Sequence, residues 1–507
     1  MKISKFLFRI LIVSLGLYMA PSVWAADIST GEYCSLADAI LSAESDTAIS
    51  GCSSGQGADT IRLSQDENIT SIPPGDFPDG QNAFKTITST ISILGYNHTV
   101  SFQNNTAISG RVFNVIAGGN LTISDVFFTD LNSTAASMEN GGFIFAEDSR
   151  VKLTNVSIDG FRATSFGGAI YSANSSIDLV KTTLSGNQIT SDGFILGGGA
   201  IFLDAGSLKI QNSKFIGNIS GGQGGAILNI AGFEDFIISR SLFADNVADY
   251  GSAISAGSAS FNDSLAIDRT QFENNTSNNG GAFVWRGASG NISISSSTFT
   301  KNHGLSSAAA FQNDGSNNFV AIINSTFSQN ISAGAGSAIL NIGNNNQFRI
   351  AYDTFIKNTA GVGGRTFRSF SIEPWNNSVL ENSIFDKNIG GDCGFVSVTN
   401  FTKTNNLSGD ATCGDLVATN ISMNSALNGG VVLNNALLAG SNAIDKAVTD
   451  VSLVRVPCPG LDQRGVMRPL DGNADGFVKC DIGAFEYKPK HTTLVSTVKN
   501  SLKTQVK

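Results

Sequence analysis

The sequence predicts an all-β chain wound as a right-handed single-stranded parallel β-helix, a solenoid with capped ends. A short phrase centred on a large apolar residue recurs about every 28 residues. Apolar and polar residues alternate over short runs around it, which is typical of strands, and helical spacing over three turns does not occur in these repeats. Gly is frequent (55) and Pro scarce (9), which suits many tight corners between uninterrupted strands. The handedness follows from the rule for parallel crossover connections.

The repeat has two parts. Copies such as residues 210–218 (IQNSKFIGN) and 267–275 (IDRTQFENN) place Asn three positions after the central residue, and a Gly pair follows, as in GGAI at residues 224–227. We expect the central residues to stack inside the coil, the Asn residues to form a hydrogen-bonded column at an αL corner, and the Gly pairs to permit positive φ. The central residues are Phe128, Ile158, Leu184, Phe215, Phe243, Phe272, Phe299, Phe327, Phe355 and Phe385, and the Asn residues are Asn187, Asn218, Asn246, Asn275, Asn302, Asn330, Asn358 and Asn388.

The first 25 residues read as a secretory signal peptide. A basic stretch with Lys2, Lys5 and Arg9 precedes an apolar core at residues 10–19, which is too short to cross a bilayer. Leu36, Ala39, Ile40 and Ala43 then recur at helical spacing, so we expect a short helix that covers the first coil. The predicted organisation is a signal peptide (1–25), an N-terminal cap with the first coils (26–118), a repeat body (119–430), a C-terminal cap (431–487) and a flexible basic tail (488–507).

Six Cys residues fall into three pairs of near neighbours. Fifteen pairings are formally possible, but neighbour pairing closes short loops at the two ends of the body and suits an oxidising compartment. The spacing does not fit a zinc site. We therefore expect three local disulfides, which join Cys34 with Cys52, Cys393 with Cys413, and Cys458 with Cys480.

The charge of the chain argues against a nucleic-acid partner. The formal net charge is −9, and 41 Asp and Glu outnumber 32 Lys and Arg. A nucleic-acid-binding protein needs a basic face to neutralise phosphates. After the signal peptide there is no apolar run long enough to span a bilayer, so we expect an exported chain without a transmembrane segment.

Two sets of motifs resemble known families. The alternation of FxxN and GGAI resembles the repeats of chlamydial polymorphic outer membrane proteins. Residues 34–40 (CSLADAI) are similar to the CSLREA motif of bacterial exported β-helix proteins, and residues 441–445 (SNAID), 462–469 (DQRGVMRP) and 480–486 (CDIGAFE) resemble a choice-of-anchor Q domain. The resemblance implies a surface-exposed adhesin that is secreted or associated with the outer membrane. It implies no catalytic residue.

One segment matches the beginning of a calcium loop. In residues 471–476 (DGNADG), oxygen-bearing side chains stand at positions 1, 3 and 5 and Gly stands at position 6. Position 12 is Ile482, so the ligand set is incomplete, and a plain Asx-rich turn is the alternative. The predicted ligands of a structural Ca²⁺ are Asp471, Asn473 and Asp475.

Trp285 and Arg286 interrupt the small polar pattern of the repeat. An exposed Trp beside Arg can stack on a sugar or anchor a partner protein, and burial in a corner of the coil is the alternative. The composition and the resemblance together favour a secreted or cell-surface, non-catalytic protein that binds surface glycans or host-cell proteins. The alternatives are a polysaccharide lyase or glycoside hydrolase of β-helix type, and a structural envelope protein without a specific ligand.

Overall fold

The computed structural model shows a parallel β-solenoid, which confirms the predicted fold class. It describes residues 25–69, 82–102, 111–130, 139–191, 193, 195–258, 263–369, 378–395, 401–414, 416–422, 425–450 and 456–489. Nearly all of the predicted signal peptide and all but the first two residues of the predicted basic tail lie outside the described residues.

Strands of successive coils stack in three main columns that join into one 33-stranded sheet wound around the core. Five long strands bend around a corner and belong to two columns each, because their corner residue adopts a positive φ or forms a small bulge. These strands are β4 (Thr90–Phe102), β6 (Asn120–Asp130) and β8 (Arg150–Asp159), which enter the second and third columns, and β10 (Ile170–Val180) and β13 (Ile201–Gln211), which enter the first and second columns.

The first column holds the strands that follow the Gly pairs. Besides the long strands it contains β5 (Phe113–Val115), β7 (Ile144–Glu147), β16 (Ile227–Asn229), β20 (Ile254–Ala256), β24 (Phe283–Trp285), β28 (Phe311–Asn313), β32 (Gly336–Asn341), β35 (Arg365–Ser369) and β38 (Cys393–Phe395). The second column contains β1 (Asp27–Ser29), β2 (Ala58–Arg62), β17 (Asp235–Ser239), β21 (Ser264–Asp268), β25 (Asn291–Ser295), β29 (Phe319–Ile323), β33 (Gln347–Ala351), β36 (Ser378–Glu381) and β39 (Phe401–Thr404).

The third column holds the strands with the central apolar residue. It contains β3 (Glu67–Ile69), β11 (Thr183–Ser185), β14 (Lys214–Ile216), β18 (Leu242–Ala244), β22 (Gln271–Glu273), β26 (Thr298–Thr300), β30 (Thr326–Ser328), β34 (Thr354–Ile356), β37 (Ile384–Asp386) and β40 (Leu407–Ser408). The sequence did not reveal a fourth column of very short strands after the Asn residues. This separate seven-stranded sheet contains β9 (Arg162–Ala163), β12 (Gln188–Ile189), β15 (Ile219–Gln223), β19 (Val247–Tyr250), β23 (Thr276–Ser277), β27 (His303–Gly304) and β31 (Ile331–Ser332).

The central Phe residues form the predicted stack inside the coil. Phe215, Phe243, Phe272 and the Phe residues that follow them are fully buried, and adjacent rings lie 4.4–5.0 Å apart, nearly parallel, from residue 215 to residue 385. Each ring adds a large apolar area to the core and contacts the ring of the next coil. The rings therefore add face-to-face contacts to the backbone pairing that sets the spacing of coils in the third column.

The predicted Asn column is also present. Asn218 Nδ2 donates to Asn246 Oδ1 at 3.0 Å and to the Leu184 carbonyl at 3.0 Å, while the Asn218 backbone N–H donates to the same Asn246 Oδ1 at 3.0 Å. The pattern repeats from Asn187 to Asn388, so the amides of the column are paired inside the coil.

The prediction that these Asn residues sit at αL corners is wrong. The positive φ falls on the residue before each of them, for example Gly217 (61°), Asp245 (56°) and Lys301 (52°). The αL residue turns the chain, and the turn points the following Asn side chain inward, where it bonds to the next coil. Asn is required there for its amide, which both donates and accepts hydrogen bonds.

A second polar column was missed by the sequence analysis. The backbone N–H of Ser213 donates to Ser241 Oγ at 3.1 Å, and the same contact joins each coil to the next from Thr182 to Asn406. Each member again follows an αL residue, as Ser213 follows Asn212 (52°). The members are Thr182, Ser213, Ser241, Thr270, Ser297, Ser325, Asp353, Ser383 and Asn406.

The amino-terminal end is covered by helix α1 (Leu36–Ser45), as predicted. Ser35 caps the helix by accepting the Asp38 backbone N–H at 3.1 Å, and the predicted apolar positions are buried. The Glu44 carboxylate accepts the backbone N–H groups of Thr88 and Ser89 at 3.1 and 3.2 Å, which ties the helix to the start of a coil.

The carboxy-terminal end is closed by a shorter segment than predicted. Residues 409–414 fold over the last coil: Asp410 accepts the Asp392 backbone N–H at 2.9 Å, and Thr412 Oγ1 accepts that of Cys393 at 2.8 Å. These side chains satisfy donors at the exposed strand edge. The prediction that residues 431–487 close this end is wrong, because the described residues of that range run back along the side of the coils.

We call the described residues 416–422, 425–450 and 456–489 the strap. Its contacts extend from Gln271, whose Oε1 accepts the Leu433 backbone N–H at 3.1 Å, to Asn405, whose Nδ2 donates to the Lys446 carbonyl at 2.7 Å. A second apolar core lies between the strap and the coils. It comprises Ala351, Tyr352, Ile356, Val379, Ile384, Leu407, Ala418, Ile421, Leu437, Ala443, Ile444, Ala447, Val456, Cys480, Ile482 and Phe485.

The three predicted disulfides are confirmed. Their Cα–Cα distances are 4.8 Å for Cys34–Cys52, 5.3 Å for Cys393–Cys413 and 6.4 Å for Cys458–Cys480. They tie the amino-terminal cap, the end-closing segment and the strap, respectively. Three disulfides indicate folding in an oxidising, extracellular environment.

Candidate functional site

A polar groove crosses one corner of the solenoid, between the first and second columns. It encloses about 340 Å³, and its walls come from five successive coils. The corner is concave because the residues there are small and because the chain turns through αL residues such as Asp148 (47°) and Asn174 (47°). The lining residues are Gly118, Asp148, Ser149, Arg150, Asn174, Ser175, Ser176, Gly206, Ser207 and Glu234.

Side chains in the groove are held by hydrogen bonds between neighbouring coils. Asn174 Nδ2 donates to Asp148 Oδ1 at 2.5 Å, and Ser207 Oγ donates to Ser176 Oγ at 3.0 Å. The Ser149 backbone N–H donates to Ser175 Oγ at 3.0 Å. The groove therefore presents hydroxyl, amide and carboxylate groups whose positions are fixed by the coil stack, which lowers the ordering cost of binding a polar ligand.

Charged side chains in and around the groove are mainly acidic. Asp148 and Glu234 line it, and Arg150 is the cation that lines it. On the adjoining strand face, burial raises the pKa of Tyr171, and the carboxylates of Asp204 and Glu147 raise that pKa further. Carboxylates therefore outnumber cations among the residues that line this corner.

An aromatic ladder lies beside the groove on the outer face of the first column. The rings of Phe145 and Tyr171 lie 4.8 Å apart, those of Tyr171 and Phe202 lie 5.2 Å apart, and both pairs are nearly parallel. The Arg111 guanidinium lies over the Phe145 ring at 4.4 Å. Because the ring faces are covered by one another, the ladder supports the coils and presents only its edges to a ligand.

The structure does not place Trp285 at the surface. Its side chain is fully buried, and Nε1 donates to the Gly287 carbonyl at 3.0 Å. The ring fills the corner where Gly287 and Gly290 leave room for it, since a Cβ on either residue would come within 3 Å of the ring. The interpretation as an exposed Trp that stacks on a sugar is therefore wrong, and the alternative, burial in a corner of the coil, is confirmed. Arg286 is half-buried, and burial lowers the pKa of its guanidinium, so the pair does not present an exposed Trp beside a cation.

The predicted calcium loop is a hydrogen-bonded turn on the strap. The Asp471 carboxylate accepts the backbone N–H groups of Asp475 and Gly476 at 3.1 and 2.9 Å, and Asn473 Oδ1 accepts the same Asp475 N–H at 2.9 Å. The Phe477 N–H, which donates to Asp475 at 2.9 Å, holds the pKa of Asp475 below its usual value.

Neither Ile482, which stands at position 12 of the loop, nor the preceding Asp481 supplies a further ligand to this loop. Ile482 is buried, and the Asp481 carboxylate accepts the backbone N–H groups of Asp445 and Tyr487. Across the described part of the chain, no three His, Cys, Asp or Glu side chains gather as a metal site. The contacts are those of the Asx-turn alternative, and calcium binding by Asp471, Asn473 and Asp475 stays a prediction.

A pair of carboxyl groups meets at the end of the last coil. Burial raises the pKa of Asp392; Asp410 is also partly buried, but hydrogen bonds, first that from the Thr412 hydroxyl, bring its pKa below the usual value. Opposed shifts are typical of acid–base pairs. Here, however, Asp392 accepts Asn388 Nδ2 at 3.0 Å and the Gly409 N–H at 2.7 Å. The pair terminates the Asn column and closes the coil end.

Sequence reasoning did not find the groove, because its members are common residues at ordinary repeat positions. Ser176 and Ser207 are two outward Ser residues among many, and only the register of β10 and β13 brings them together. The motif residues of the strap, by contrast, do form a network. Arg468 pairs with Glu486 at 3.3 Å and Arg464 with Asp462 at 2.5 Å, and these side chains are buried, which indicates a structural role.

Comparison of the chain with family models, with curated proteins and with solved structures yields no match. Among the described residues, no helix combines the length and apolar character needed to span a bilayer. Any functional conclusion therefore rests on the geometry of the groove and the architecture of the coils.

Proposed function

We propose that the chain is an extracellular, non-catalytic rod that binds surface glycans in the groove between the first and second columns. One observation carries the proposal: the groove encloses about 340 Å³ across five coils and is lined by hydroxyl, amide and carboxylate groups. Pyranose rings are covered with hydroxyl groups, and a surface with fixed donors and acceptors pairs with them at low ordering cost. An adhesive role, with glycans or host-cell surfaces as partners, agrees with this chemistry.

The groove supports binding because its polar groups are already held in place. The Asp148 carboxylate is engaged by the Asn174 amide, yet a carboxylate accepts several hydrogen bonds and retains capacity for a ligand hydroxyl. Ser207 Oγ donates to Ser176 Oγ, so the lone pairs of Ser207 and the hydrogen and second lone pair of Ser176 stay available along the groove. The three disulfides and the predicted signal peptide favour secretion or cell-surface display.

The test is a glycan array probed with the purified full chain and two Trp variants. Ser176→Trp places an indole in the groove and is expected to abolish binding. Ser264→Trp is the matched control, because residue 264 is exposed in the same column but outside the groove, and Phe319 shows that this column accepts an aromatic side chain. Equal loss of binding in both variants, or binding unaffected by Ser176→Trp, would place the glycan site elsewhere.

A polysaccharide lyase or glycoside hydrolase is the second candidate. The groove holds two carboxylates, Asp148 and Glu234, and one guanidinium, Arg150, which are the group types that such enzymes use. The two carboxylates lie three coils apart, however, or roughly 14 Å along the axis, whereas the paired carboxyl groups of most glycosidases are about 5–9.5 Å apart, so binding is the preferred conclusion. Release of reducing or unsaturated sugar ends from a polysaccharide panel, lost in Asp148→Asn and Glu234→Gln, would replace binding by catalysis as the conclusion. A chain that binds no glycan and cleaves none would be a structural envelope protein.

A further inference from the structure

We propose that the ligand of the groove is a linear, non-anionic glycan that lies along the rod axis. This inference rests on the proposed function and adds the direction, the length and the charge of the ligand. Three features of the groove carry it: the stacking of its walls, the closure of its floor and the balance of its charges.

The walls of the groove repeat from coil to coil along the rod. Ser176 is in register with Arg150 on one side and with Ser207 on the other, and Ser207 is in register with Asp235. Successive coils lie about 4.8 Å apart, so the five coils that line the groove extend it over roughly 19 Å. The coil spacing is close to the length of one pyranose unit. A linear chain along the axis therefore meets a polar wall at each step, whereas a branched or transverse ligand contacts only one or two coils.

The floor of the groove is closed by backbone. Gly206 has φ +87°, and a Cβ there would come 2.1 Å from the Ser175 carbonyl oxygen, so the chain of one coil lies directly on that of the next. Gly118, at the other end, has no atom within 4 Å of its Cβ position and leaves the groove open. The groove is thus a shallow furrow with an open end, which suits a polymer that extends beyond it.

The charges around the groove disfavour anionic chains. Asp148 and Glu234 line it and Glu147 and Asp204 stand beside it, against Arg150. The nearby cations Lys152 and Lys209 are already paired, with Asp178 at 3.9 Å and with Asp235 at 2.9 Å. Carboxylates therefore outnumber unpaired cations, and a chain of uronate or sulfate groups would be repelled where it passes Asp148 and Glu234.

The experiment compares linear oligosaccharides by calorimetry on the full chain. Cello-oligosaccharides and N-acetylglucosamine oligomers serve as neutral probes, and galacturonic acid oligomers of the same lengths serve as anionic probes. We expect the affinity for at least one neutral series to rise with length up to about four units and then to level off, because the groove spans roughly 19 Å. Anionic oligomers should bind at least about tenfold more weakly.

Two variants sharpen the result. Glu234→Gln should narrow the difference between neutral and anionic oligomers, whereas Glu273→Gln, an acidic residue outside the groove, should leave it unchanged. Affinity that is independent of length, or equal for anionic oligomers, would overturn this inference while leaving glycan binding intact. Binding by none of the oligomers and by no glycan on the array would instead overturn the proposed function.

Discussion

The third column offers two surfaces on one framework, an open half at β11, β14 and β18 and a half covered by the strap at β26, β30, β34 and β37. In the open half the outward residues include Lys214, which is exposed, and Thr183, which is half-buried. In the covered half every residue of the four strands is buried. The interior apolar and Asn columns continue through both halves, with Leu184 in place of Phe at β11. The outward positions can therefore evolve independently of the coil, because the core is complete without them.

In the covered half, small hydroxyl-bearing side chains and branched side chains form the surface on which the strap packs. Gln463 Nε2 donates to Thr298 Oγ1 at 2.8 Å, its Oε1 accepts the Thr326 hydroxyl at 2.5 Å, and the Ala484 backbone N–H donates to Thr354 Oγ1 at 3.1 Å. In three successive coils, a Thr hydroxyl of the same row therefore forms a hydrogen bond with the strap. A charged residue in this row would be buried without a partner.

The largest expected effect comes from a Lys placed in that row. Thr326→Lys should destabilise the docked strap by about 3–5 kcal/mol, because it buries an unpaired ammonium and removes the hydrogen bond to Gln463. Limited proteolysis should then cut the strap between Cys413 and Cys458 while the coils stay intact.

Thr183→Lys provides the control for this prediction. Thr183 is aligned with Lys214, and the register continues coil by coil to Thr298 and Thr326, so the same change is made in the same row of the open half. It should alter the stability by less than about 0.5 kcal/mol. Similar protease sensitivity of both variants would show that the strap does not depend on this row.

The next effect tests whether the interior is the same in both halves. Asn218→Ala and Asn330→Ala each remove one amide from the Asn column, so that a backbone N–H and a carbonyl group of neighbouring coils lose their partners. Each variant should lose about 2–3 kcal/mol of unfolding free energy in denaturant titrations. A clearly larger loss for Asn330→Ala would mean that the strap contributes to the stability of the column itself.

A gain in stability is expected at Asp353. This residue belongs to the second polar column, in which most coils carry Ser or Thr. Its Oδ1 accepts the Ser325 N–H at 2.7 Å, and burial raises its pKa well above the usual value. Asp353→Ser should raise the melting temperature at neutral pH, by a stabilisation of about 1–2 kcal/mol, because a buried carboxyl is replaced by the hydroxyl used in other coils. Ser325→Ala, which removes a hydroxyl from the same column, is the control and should lower the melting temperature. A loss of stability in Asp353→Ser would show that the carboxyl pairs favourably with Arg468.

The smallest effect is a pH dependence of the strap. Burial, followed by the charge of Glu486, raises the pKa of Asp481 to about 8, whereas a carboxyl in the unfolded chain titrates near pH 4. Between these values the folded strap keeps a proton that the unfolded chain has lost, so this group's contribution to stability falls as the pH rises. The loss is at most about 1.4 kcal/mol between pH 6 and pH 7.

Hydrogen exchange of the strap amides measures this change. Exchange corrected for intrinsic rates should be slower at pH 6 than at pH 7 for the strap, and unchanged for the open half of the third column. Asp475 has a lowered pKa and is exposed, so Asp475→Asn should leave the trend in place. Protection of the strap that increases with pH would contradict the assignment of a protonated Asp481.

The sequence predicted the coil interior because the interior is periodic. A Phe such as Phe272 and an Asn such as Asn275 recur at the spacing of one coil, and each contacts its own equivalent in the next coil. The second polar column was missed because Ser is common at other positions too, so its Ser and Thr residues do not stand out in the repeat. The sequence left open whether Trp285 is exposed or buried in a corner, because the repeat pattern does not show that Gly287 and Gly290 open a space there.

The sequence alone determined the solenoid, the cap helix and the disulfide pairs, because each depends on contacts between residues at regular or short separations along the chain. The tertiary structure decided where the strap lies and which outward residues meet in the groove. Gln463 reaches Thr326 across 137 positions, and no periodic signal encodes such a contact. Outward side chains contribute little to the stability of a coil. Their sequence pattern therefore does not predict which of them are in contact, and only the register of the stacked coils decides it.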